Sequence, residues 1–386
     1  MYKITIGGDL YLKHSYLIKD NINLFNNSDF SILNLEAPVL DGRKKAYSHK
    51  KSGPNLAQKT DSLNALLANL GVNYLVGANN HIFDYGQDGL DYTIDYLMNK
   101  GIGHTGFGKN IQNATRPMTL GKTNIVVLST AEEEFGVASS NTSGYLSIYG
   151  SEIIKSIQVL KKKRKVVIVC PHGGGEEVPL PSKYIYSRYR EIIDAGADII
   201  IGHHPHVPQG YEIYKSKYIF YSLGNFIHDS YSKSWGMLLK LLVDDSRGQI
   251  SVKPYAANVS AGKLNIDELT VNQLDYLSRI NDILLTQNDY DLMLQVQSVD
   301  MYKDYYGRYV QRILDASSRR WYVKQADIER EENRELLFLN LIRNKSHSEF
   351  IERALKIKYS EITKKFNDIF VQKYGYLKKY IKNNFK

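Results

Sequence analysis

Short apolar segments alternate with helical patterns from the start of the chain to about residue 245. The pattern predicts strands at residues 3–7, 30–35, 74–78, 124–129, 166–170, 198–201, 218–222 and 237–243. It predicts helices at residues 59–70, 89–99, 152–162 and 184–195. Several of these helices are followed by glycine, as helix ends often are. The alternation predicts an α/β fold with buried sheets.

The segment 199–206 is an apolar run that stops at a glycine and is followed by three histidines within four positions. His204 and His206 are two residues apart, so both side chains can point at one spot on a turning loop. Pro205 stiffens the backbone between them. Because imidazole is the commonest side-chain metal ligand near neutral pH, this segment indicates a metal site. The alternative is a histidine-rich surface loop.

Four further polar clusters follow predicted strands, and they disfavour the surface-loop alternative. These clusters are Gly8-Asp9, Asn34-Leu35-Glu36, Asn79-Asn80-His81 and Pro171-His172-Gly173. In α/β sheets, ligands collect outside the carboxyl ends of strands, so all five clusters are expected at one rim. Each cluster alone is weak evidence, because an aspartate at the end of a strand is often a helix cap. Together they offer carboxylates, an amide oxygen and imidazoles, which suits one or two divalent ions such as Mn, Fe or Zn.

The ordered series of motifs resembles the calcineurin-like metallophosphoesterases, and most closely their CapA-like branch, the poly-gamma-glutamate capsule synthesis proteins. The motifs are Gly8-Asp9, NLEAP at 34–38, ANNH at 78–81, DYG at 84–86, HGGGE at 172–176, GHHPH at 202–206 and SLGNF at 222–226. They cover roughly residues 3–245 and leave the C-terminal part unmatched. The resemblance implies a metallophosphoesterase β-sandwich flanked by helices, in the α/β class.

The resemblance also implies a role for each matched residue. The implied metal ligands are Asp9, Glu36, Asn80, His172, His204 and His206. Glu36 stands where the parent superfamily has a bridging aspartate, and His81 would protonate a leaving oxygen. Asp84 would orient a histidine or simply cap the next helix. Glu176 and Asn225 would face the substrate, with plain surface and turn roles as the alternatives.

Two departures from the family pattern concern this site. The parent signature begins Asp-x-His, but residue 11 is tyrosine, so one ion position is expected to lack a ligand. Gly173 stands where the branch often has tryptophan, which predicts a more open cleft wall and a more flexible loop. The histidines expected at the surface are His14, His49, His104, His228 and His347.

The charge distribution favours anionic partners. The chain has 50 Lys and Arg against 41 Asp and Glu, which gives a formal net charge of +9. A loop containing Lys44, Lys45, Lys50 and Lys51 is either solvated or clamps an anionic polymer or phosphate ester. The tail from residue 373 mixes tyrosine with lysine, which suits either a peripheral membrane contact or a solvated helix end. No nucleic-acid recognition module is visible, which disfavours nucleic acid as a partner.

The composition changes after about residue 262, where glycine becomes rare and proline is absent. We therefore expect a metallophosphoesterase-fold domain over residues 1–262 and a mostly helical extension over residues 263–386. The single cysteine, Cys170, excludes an intrachain disulfide and a Cys-rich zinc site. No apolar run approaches 18 residues and no leader precedes the first strand, so the expected location is the cytoplasm or the inner face of the membrane.

The function that these features favour is metal-dependent hydrolysis or transfer at a phosphoester or phosphodiester linkage. The resemblance places this activity in bacterial capsule or surface-polymer biosynthesis. Two alternatives remain open. One is amide or peptide-bond chemistry on a polyglutamate-like polymer, and the other is a non-catalytic scaffold subunit that binds a polyanion.

Overall fold

The computed structural model describes residues 1–40, 48–311, 335–358 and 368–386. The strands are β1 (Tyr2–Tyr11), β2 (Leu17–Asp20), β3 (Phe30–Leu35), β4 (Val39–Leu40), β5 (Gln58–Lys59), β6 (Tyr74–Val76), β7 (Gly103–Thr105), β8 (Phe107–Gly108), β9 (Met118–Thr119), β10 (Ile125–Ala131), β11 (Gly144–Tyr145), β12 (Val166–His172), β13 (Ile199–Ile201), β14 (Tyr211–Tyr214), β15 (Lys217–Phe220), β16 (Asn225–His228), β17 (Lys233–Asp244), β18 (Gln249–Ser260) and β19 (Lys263–Asp267). The helices are α1 (Thr60–Leu70), α2 (Gly86–Asn99), α3 (Ile111–Ala114), α4 (Ser151–Lys162), α5 (Lys183–Asp194), α6 (Val271–Leu284), α7 (Gln287–Met301), α8 (Lys345–Lys358) and α9 (Asp368–Asn384).

Most of the strands form two large sheets. The first has the order β2-β19-β18-β17-β1-β3-β6-β7, with β16 also paired to β1, and the second has the order β14-β15-β13-β12-β10-β9. Strands β1, β3, β6 and β7 run parallel in the first sheet. Strands β10, β12, β13 and β15 run parallel in the second. The carboxyl ends of each parallel set therefore meet at one edge of its sheet.

The two sheets pack face to face around the main core. Ile6 and Leu239 of the first sheet share one buried apolar cluster with Val127 and Ile168 of the second. On β3, Ile32 belongs to this main cluster. Its neighbour Leu33 points to the other face of the sheet and belongs to a second apolar cluster, which includes residues of α1 and α2. Both faces of the central strands are thus buried, which explains their nearly continuous apolar sequences. This architecture confirms the predicted sandwich flanked by helices.

The helical region begins at α6, later than the predicted boundary at residue 262. That boundary falls in the hairpin between β18 and β19, and β19 pairs with both β18 and β2 in the first sheet. Thr270 then caps α6 through a capping box with Gln273. Tyr276 and Ile280 of α6 and Leu377 of α9 lie in the same buried cluster as the two sheets. The helices therefore share the main core.

The C-terminal helix buries one face of the tyrosine- and lysine-rich tail. Tyr374, Leu377, Ile381 and Phe385 are each less than a tenth exposed. Lys386 exchanges two backbone hydrogen bonds with Lys233, of 3.1 and 2.9 Å. The tail's apolar face is consequently occupied by the protein. In the described ranges, no helix combines the length and the apolar character that crossing a bilayer requires.

Candidate metal centre

The polar clusters at the strand ends lie together between the carboxyl edges of the two sheets. Asp9 comes from β1, Glu36 follows β3, and His172 closes β12. Asn80 lies in the loop after β6, and His204 and His206 lie in the loop after β13. All of these side chains are buried. The structure thus brings the six sequence-predicted ligand residues into one pocket.

Asp9 is fixed by hydrogen bonds on both carboxylate oxygens. The Asn34 side-chain amide donates to Oδ1 over 2.7 Å, and the backbone N–H of His204 donates to Oδ2 over 3.1 Å. A Cβ added to Gly8 would lie 1.8 Å from the carbonyl oxygen of Gly224. Only glycine therefore lets β1 approach this closely, and the approach determines where Asp9 lies.

The histidine loop after β13 has an unusual backbone. His204 and His206 have φ values of 100° and 59°, which non-glycine residues rarely adopt. A Cβ on Gly202 would lie 2.1 Å from the carbonyl oxygen of Tyr221, so the loop can leave the strand only through glycine. The Nδ1–H of His206 donates to Oδ1 of Asn225 over 2.9 Å, which leaves Nε2 of His206 with a free lone pair. Surrounding contacts thus hold two imidazoles in a strained loop.

Glu36 lies at the middle of the pocket. Its Oε1 is 3.8 Å from Nε2 of His172 and 3.6 Å from Nε2 of His206. Its Oε2 is 3.6 Å from Nε2 of His228. These separations exceed hydrogen-bond lengths, and both oxygens are buried without a hydrogen-bond partner among the described residues. A buried carboxylate is expected to be paired or to bind a metal.

The spacing of the donor atoms fits a metal. One group of three possible ligands contains Glu36, His172 and His204, and a second contains Glu36, His206 and His228. Within each group the donor atoms lie within 4.8 Å of one another. Around a tetrahedral ion with bonds of roughly 2.0–2.2 Å, neighbouring donors are roughly 3.3–3.6 Å apart. These residues could therefore hold one divalent ion or two, with Glu36 shared between them.

The electrostatics of the pocket also fit a cation. Burial raises the pKa of Asp9, and burial together with the nearby Asp9 raises the pKa of Glu36 well above its usual range. Burial lowers the pKa values of His172, His204 and His228 well below the usual range, and neighbouring imidazoles add to this effect. The imidazoles are consequently neutral near pH 7, which is the form that binds metals. A divalent cation would compensate the buried carboxylates.

Asn80 lies beside the histidine pair of the first group. Its Oδ1 is 3.0 Å from Nε2 of His172, and the same nitrogen is 3.1 Å from Nδ1 of His204. Asn34 donates to Nδ1 of His172 over 3.2 Å. An amide oxygen and two imidazoles therefore face one another on this side of Glu36, as expected for mixed oxygen and nitrogen ligation.

His81 sits next to these groups and is held by two charged side chains. Its Nδ1 is 2.7 Å from Oδ2 of Asp84 and 3.0 Å from Nζ of Lys51. Lys51 also forms an ion pair with Asp84 and donates to the backbone oxygen of Asn80 over 3.2 Å. Burial, and then the charge of Lys51, lower the pKa of His81. Asp84 accepts a hydrogen bond from Leu56 N over 2.6 Å, so it orients His81 and anchors the preceding loop.

The structure describes two of the four lysines of the basic loop, and they differ in exposure. Lys44 and Lys45 lie outside the described residues, and Lys50 is exposed. Lys51 is buried against the site, because it pairs with a buried carboxylate. Lys51 is therefore not a solvated loop residue, and its contact with an anionic substrate stays a prediction.

The two predicted substrate-facing residues occupy different positions. Glu176 is exposed beside the pocket, and its charge contributes to the raised pKa of Glu36. Asn225 is fully buried and accepts the hydrogen bond from His206. Asn225 therefore orients a candidate ligand from behind. Whether either residue contacts a substrate stays a prediction.

The cleft wall at Gly173 is closed, contrary to the sequence-based expectation. A Cβ on Gly173 would lie 2.6 Å from Cγ of Glu132, whose carboxylate accepts a hydrogen bond from Ser346 of α8 over 2.9 Å. A Cβ on Gly175 would lie 2.9 Å from the ring of Phe350, also on α8. Burial raises the pKa of Glu132 to about 7. The space that a side chain at residue 173 would occupy is filled by Glu132, and α8 packs against the same loop.

His228 is the site residue that the sequence analysis missed. It was expected at the surface, but it is buried and its ring lies 4.6 Å from that of His206. The cause is the pairing of β16 with β1, which places His228 opposite Tyr11. The available signal was the position of His228 at the end of an apolar segment, only three residues after Asn225.

Comparison with known proteins agrees with this geometry. Residues 3–230 match the family described as bacterial capsule synthesis protein PGA_cap. The chain belongs to this family. The match confirms the CapA-like resemblance.

Three named relatives each align with about half of this chain. It is 34% identical over 228 residues to the capsule biosynthesis protein CapA of Bacillus anthracis, covering 55% of this chain and 54% of that protein. It is 33% identical over 211 residues to the PGA biosynthesis protein CapA of Bacillus subtilis, covering 53% and 55%. A "Probable polyglutamine synthesis accessory protein" of Mycobacterium tuberculosis is 28% identical over 213 residues, covering 48% and 56%. The chain thus spans about half the length of these relatives.

Proposed function

We propose that this protein is a metal-dependent phosphoesterase-like enzyme that hydrolyses or transfers a phosphoester or phosphodiester group in bacterial capsule or surface-polymer biosynthesis. The observation that carries the proposal is the Glu36 carboxylate, buried without a hydrogen-bond partner in the described structure and flanked by imidazole nitrogens at 3.6–3.8 Å. The names of the two Bacillus relatives support the capsule setting. The substrate class is an anionic polymer or a phosphate ester.

In this proposal the chain's own residues hold the ions and position the substrate. Glu36 lies at the middle of the pocket, with His206 on one side of it and Asn80, His172 and His204 on the other. Asp9 lies 3.7 Å from His206 and accepts the backbone hydrogen bond of His204. Divalent ions bound there would supply Lewis-acid activation of the phosphoryl group and of the attacking water. Burial of the pocket keeps bulk water away and strengthens every charge interaction inside it.

His81 is the proposed proton donor to the leaving oxygen. Its Nδ1 is engaged by Asp84 and Lys51, so Nε2 is the ring nitrogen left for proton transfer. Asp84 fixes the orientation of the ring, as carboxylates do for catalytic histidines. This assignment separates the proton-transfer residue from the residues that hold the ions.

A second candidate function is a non-catalytic accessory subunit that uses the same pocket to bind a polyanion. The relative from Mycobacterium tuberculosis, whose name contains the term accessory protein, favours this candidate. Amide-bond chemistry on a polyglutamate-like polymer is the further alternative that the family's capsule setting suggests.

The test is hydrolysis of a small chromogenic phosphodiester by the full chain, with metal content measured in parallel. Chelation should abolish turnover, and added Mn²⁺ or Zn²⁺ should restore it. Glu36→Gln should lose both bound metal and turnover, because it removes the shared carboxylate. His81→Ala should keep its metal and lose about 10²–10⁴ in turnover, the usual range for general acid-base catalysis.

Each other outcome has a defined meaning. Metal binding without phosphodiester turnover in the wild type would favour the accessory-subunit candidate. Absence of metal from protein prepared with excess Mn²⁺ or Zn²⁺ would refute the proposal. Loss of metal in His81→Ala would make His81 a ligand, and unchanged turnover would remove it from the mechanism.

A further inference from the structure

His228 has an environment that is difficult to explain as ordinary packing. It is 3% exposed, and its Nε2 is buried without a hydrogen-bond partner among the described residues. Leaving a buried polar group without a hydrogen-bond partner destabilises the folded protein. Its other ring nitrogen, Nδ1, is 3.4 Å from the backbone N of Ser230, at the limit of hydrogen bonding. A bond from Ser230 N to Nδ1 would favour the tautomer that carries its proton on Nε2. Because this contact is so long, it does not hold the ring in that tautomer.

The free nitrogen points at the centre of the pocket. Nε2 of His228 lies 3.6 Å from Oε2 of Glu36, while Nε2 of His206 lies 3.6 Å from Oε1 of the same carboxylate. Both separations match the roughly 3.3–3.6 Å expected between neighbouring ligands of one tetrahedral ion. These two imidazoles and Glu36 form one group of three possible metal ligands. His172 and His204 belong to the other group.

The backbone explains why an imidazole arrives there from so far along the chain. Residue 228 is the register partner of Tyr11 on the neighbouring parallel strand, and the two rings lie 5.1 Å apart. The next residue, Asp229, accepts hydrogen bonds from the backbone N of Lys13 and of His14. These bonds tie the end of β16 to the segment after β1, so His228 is held in place beside Tyr11.

From this geometry we propose that His228 is a metal ligand, and that it completes an ion position with Glu36 and His206. Tyr11 carries no imidazole, and His228 supplies one from the adjacent strand. The inference rests on the proposed function, since it requires that the pocket binds divalent ions. It implies that the pocket has two different ion positions that share Glu36. Only one of these positions depends on His228.

The experiment measures metal binding rather than turnover. Metal-free full-length protein is titrated with Zn²⁺ by calorimetry, and Co²⁺-loaded protein is examined by visible absorption, which reports on the ion's coordination. His228→Phe should weaken one binding event by at least about 10–100-fold, because removing even a residue that supports a ligand has an effect of that size. The other event should keep its affinity, and the Co²⁺ spectrum should lose the contribution of one ion.

Two further variants separate ligation from packing. His228→Gln offers an amide oxygen at similar reach, so its affinity should fall between those of the wild type and the phenylalanine variant. The control is His203→Gln, because His203 is a buried histidine in the loop after β13 but lies outside both donor groups. It should bind Zn²⁺ as the wild type does. Circular dichroism confirms that each variant is folded.

The outcomes distinguish this inference from the proposed function. If His228→Phe and His228→Gln both bind Zn²⁺ with wild-type stoichiometry and affinity, the role of His228 as a ligand is overturned while the metal centre stands. If the wild type binds no Zn²⁺ or Co²⁺, the proposed function fails, and this inference fails with it.

Discussion

At the residue scale, Lys51 shows how a single long-range contact changes the meaning of a residue. In the sequence it belongs to a basic run, which normally indicates a solvated loop. In the structure its ammonium group lies among Asp84, His81 and the backbone oxygen of Asn80. The Asp84 partner is 33 positions away in sequence, so charge patterning alone could not identify the pair.

The two adjacent lysines provide a matched test of this pair. Lys51→Met should lower the free energy of unfolding by about 3–5 kcal/mol, because it leaves a buried carboxylate without its cation. Lys50→Met, at an exposed neighbouring position, should change it by less than about 0.5 kcal/mol. Urea unfolding measures both values.

A double variant tests the cause of that loss. Lys51→Met combined with Asp84→Asn should cost less than the sum of the two single changes, since it removes both charges together. Equal losses for Lys50→Met and Lys51→Met would show that the buried ion pair contributes little to stability.

At the element scale, the sequence could predict most of the regular structure. All eight predicted strands and all four predicted helices appear, with ends shifted by a few residues. Long apolar runs that are buried on both faces, such as Val166–His172, carry enough local information for this. Two-residue strands such as Val39–Leu40 and Gln58–Lys59 do not, because they exist only through their mutual pairing. The same limitation hid His228, which reaches the site by the pairing of β16 with β1.

Helix α8 contains a histidine whose titration should affect stability. Nδ1 of His347 is buried without a hydrogen-bond partner among the described residues, and its ring lies 5.7 Å from that of Tyr306. Burial lowers the pKa of His347, although the charges of Glu134 and Glu176 act in the opposite direction. Protonation thus favours the unfolded chain. The stability associated with neutral His347 is present above its ordinary pKa and is lost as the pH falls below it.

His347→Phe should remove this acid-sensitive contribution. The difference in unfolding free energy between the variant and the wild type should move in favour of the variant as the pH falls from about 7.5 to about 5.5. Urea unfolding at the two pH values measures the change, and the value at the higher pH serves as the baseline for the effect on packing. A pH-independent difference, or one of opposite sign, would contradict the assignment.

At the scale of the whole molecule, the helical region forms part of the site's support. Glu132 connects the loop after β12 to Ser346 of α8, and it accepts a hydrogen bond from Gly174 N over 2.9 Å. The family match ends at residue 230, before these helices begin. Composition correctly predicted a helical region there, but it could not indicate that the helices pack on the loop beside His172. That information lies in contacts between residues more than 170 positions apart.

The same packing leads to a prediction about cooperativity. Leu377 of α9 is 1% exposed and lies in the main core, whereas Val371 on the same helix is 46% exposed. Leu377→Ala should lower the free energy of unfolding by about 2–5 kcal/mol, because it leaves a cavity in a core shared with both sheets. Val371→Ala is the matched control and should have little effect. Urea unfolding should be followed both by circular dichroism and by the fluorescence of Trp235 of β17, in a background in which the second tryptophan of the chain, Trp321, is replaced by phenylalanine.

If the helices and sheets unfold as one unit, both probes should shift together in Leu377→Ala. Trp235 lies 6.4 Å from the ring of Phe385 and 6.1 Å from that of Tyr276, so it is positioned where the sheet meets the helices. The coincidence of the two transitions is the standard sign of a single cooperative unit. An earlier transition that Leu377→Ala shifts while the main transition stays in place would instead identify the helical region as a separately unfolding domain. That result would support the separate helical extension predicted from composition, with its boundary after β19.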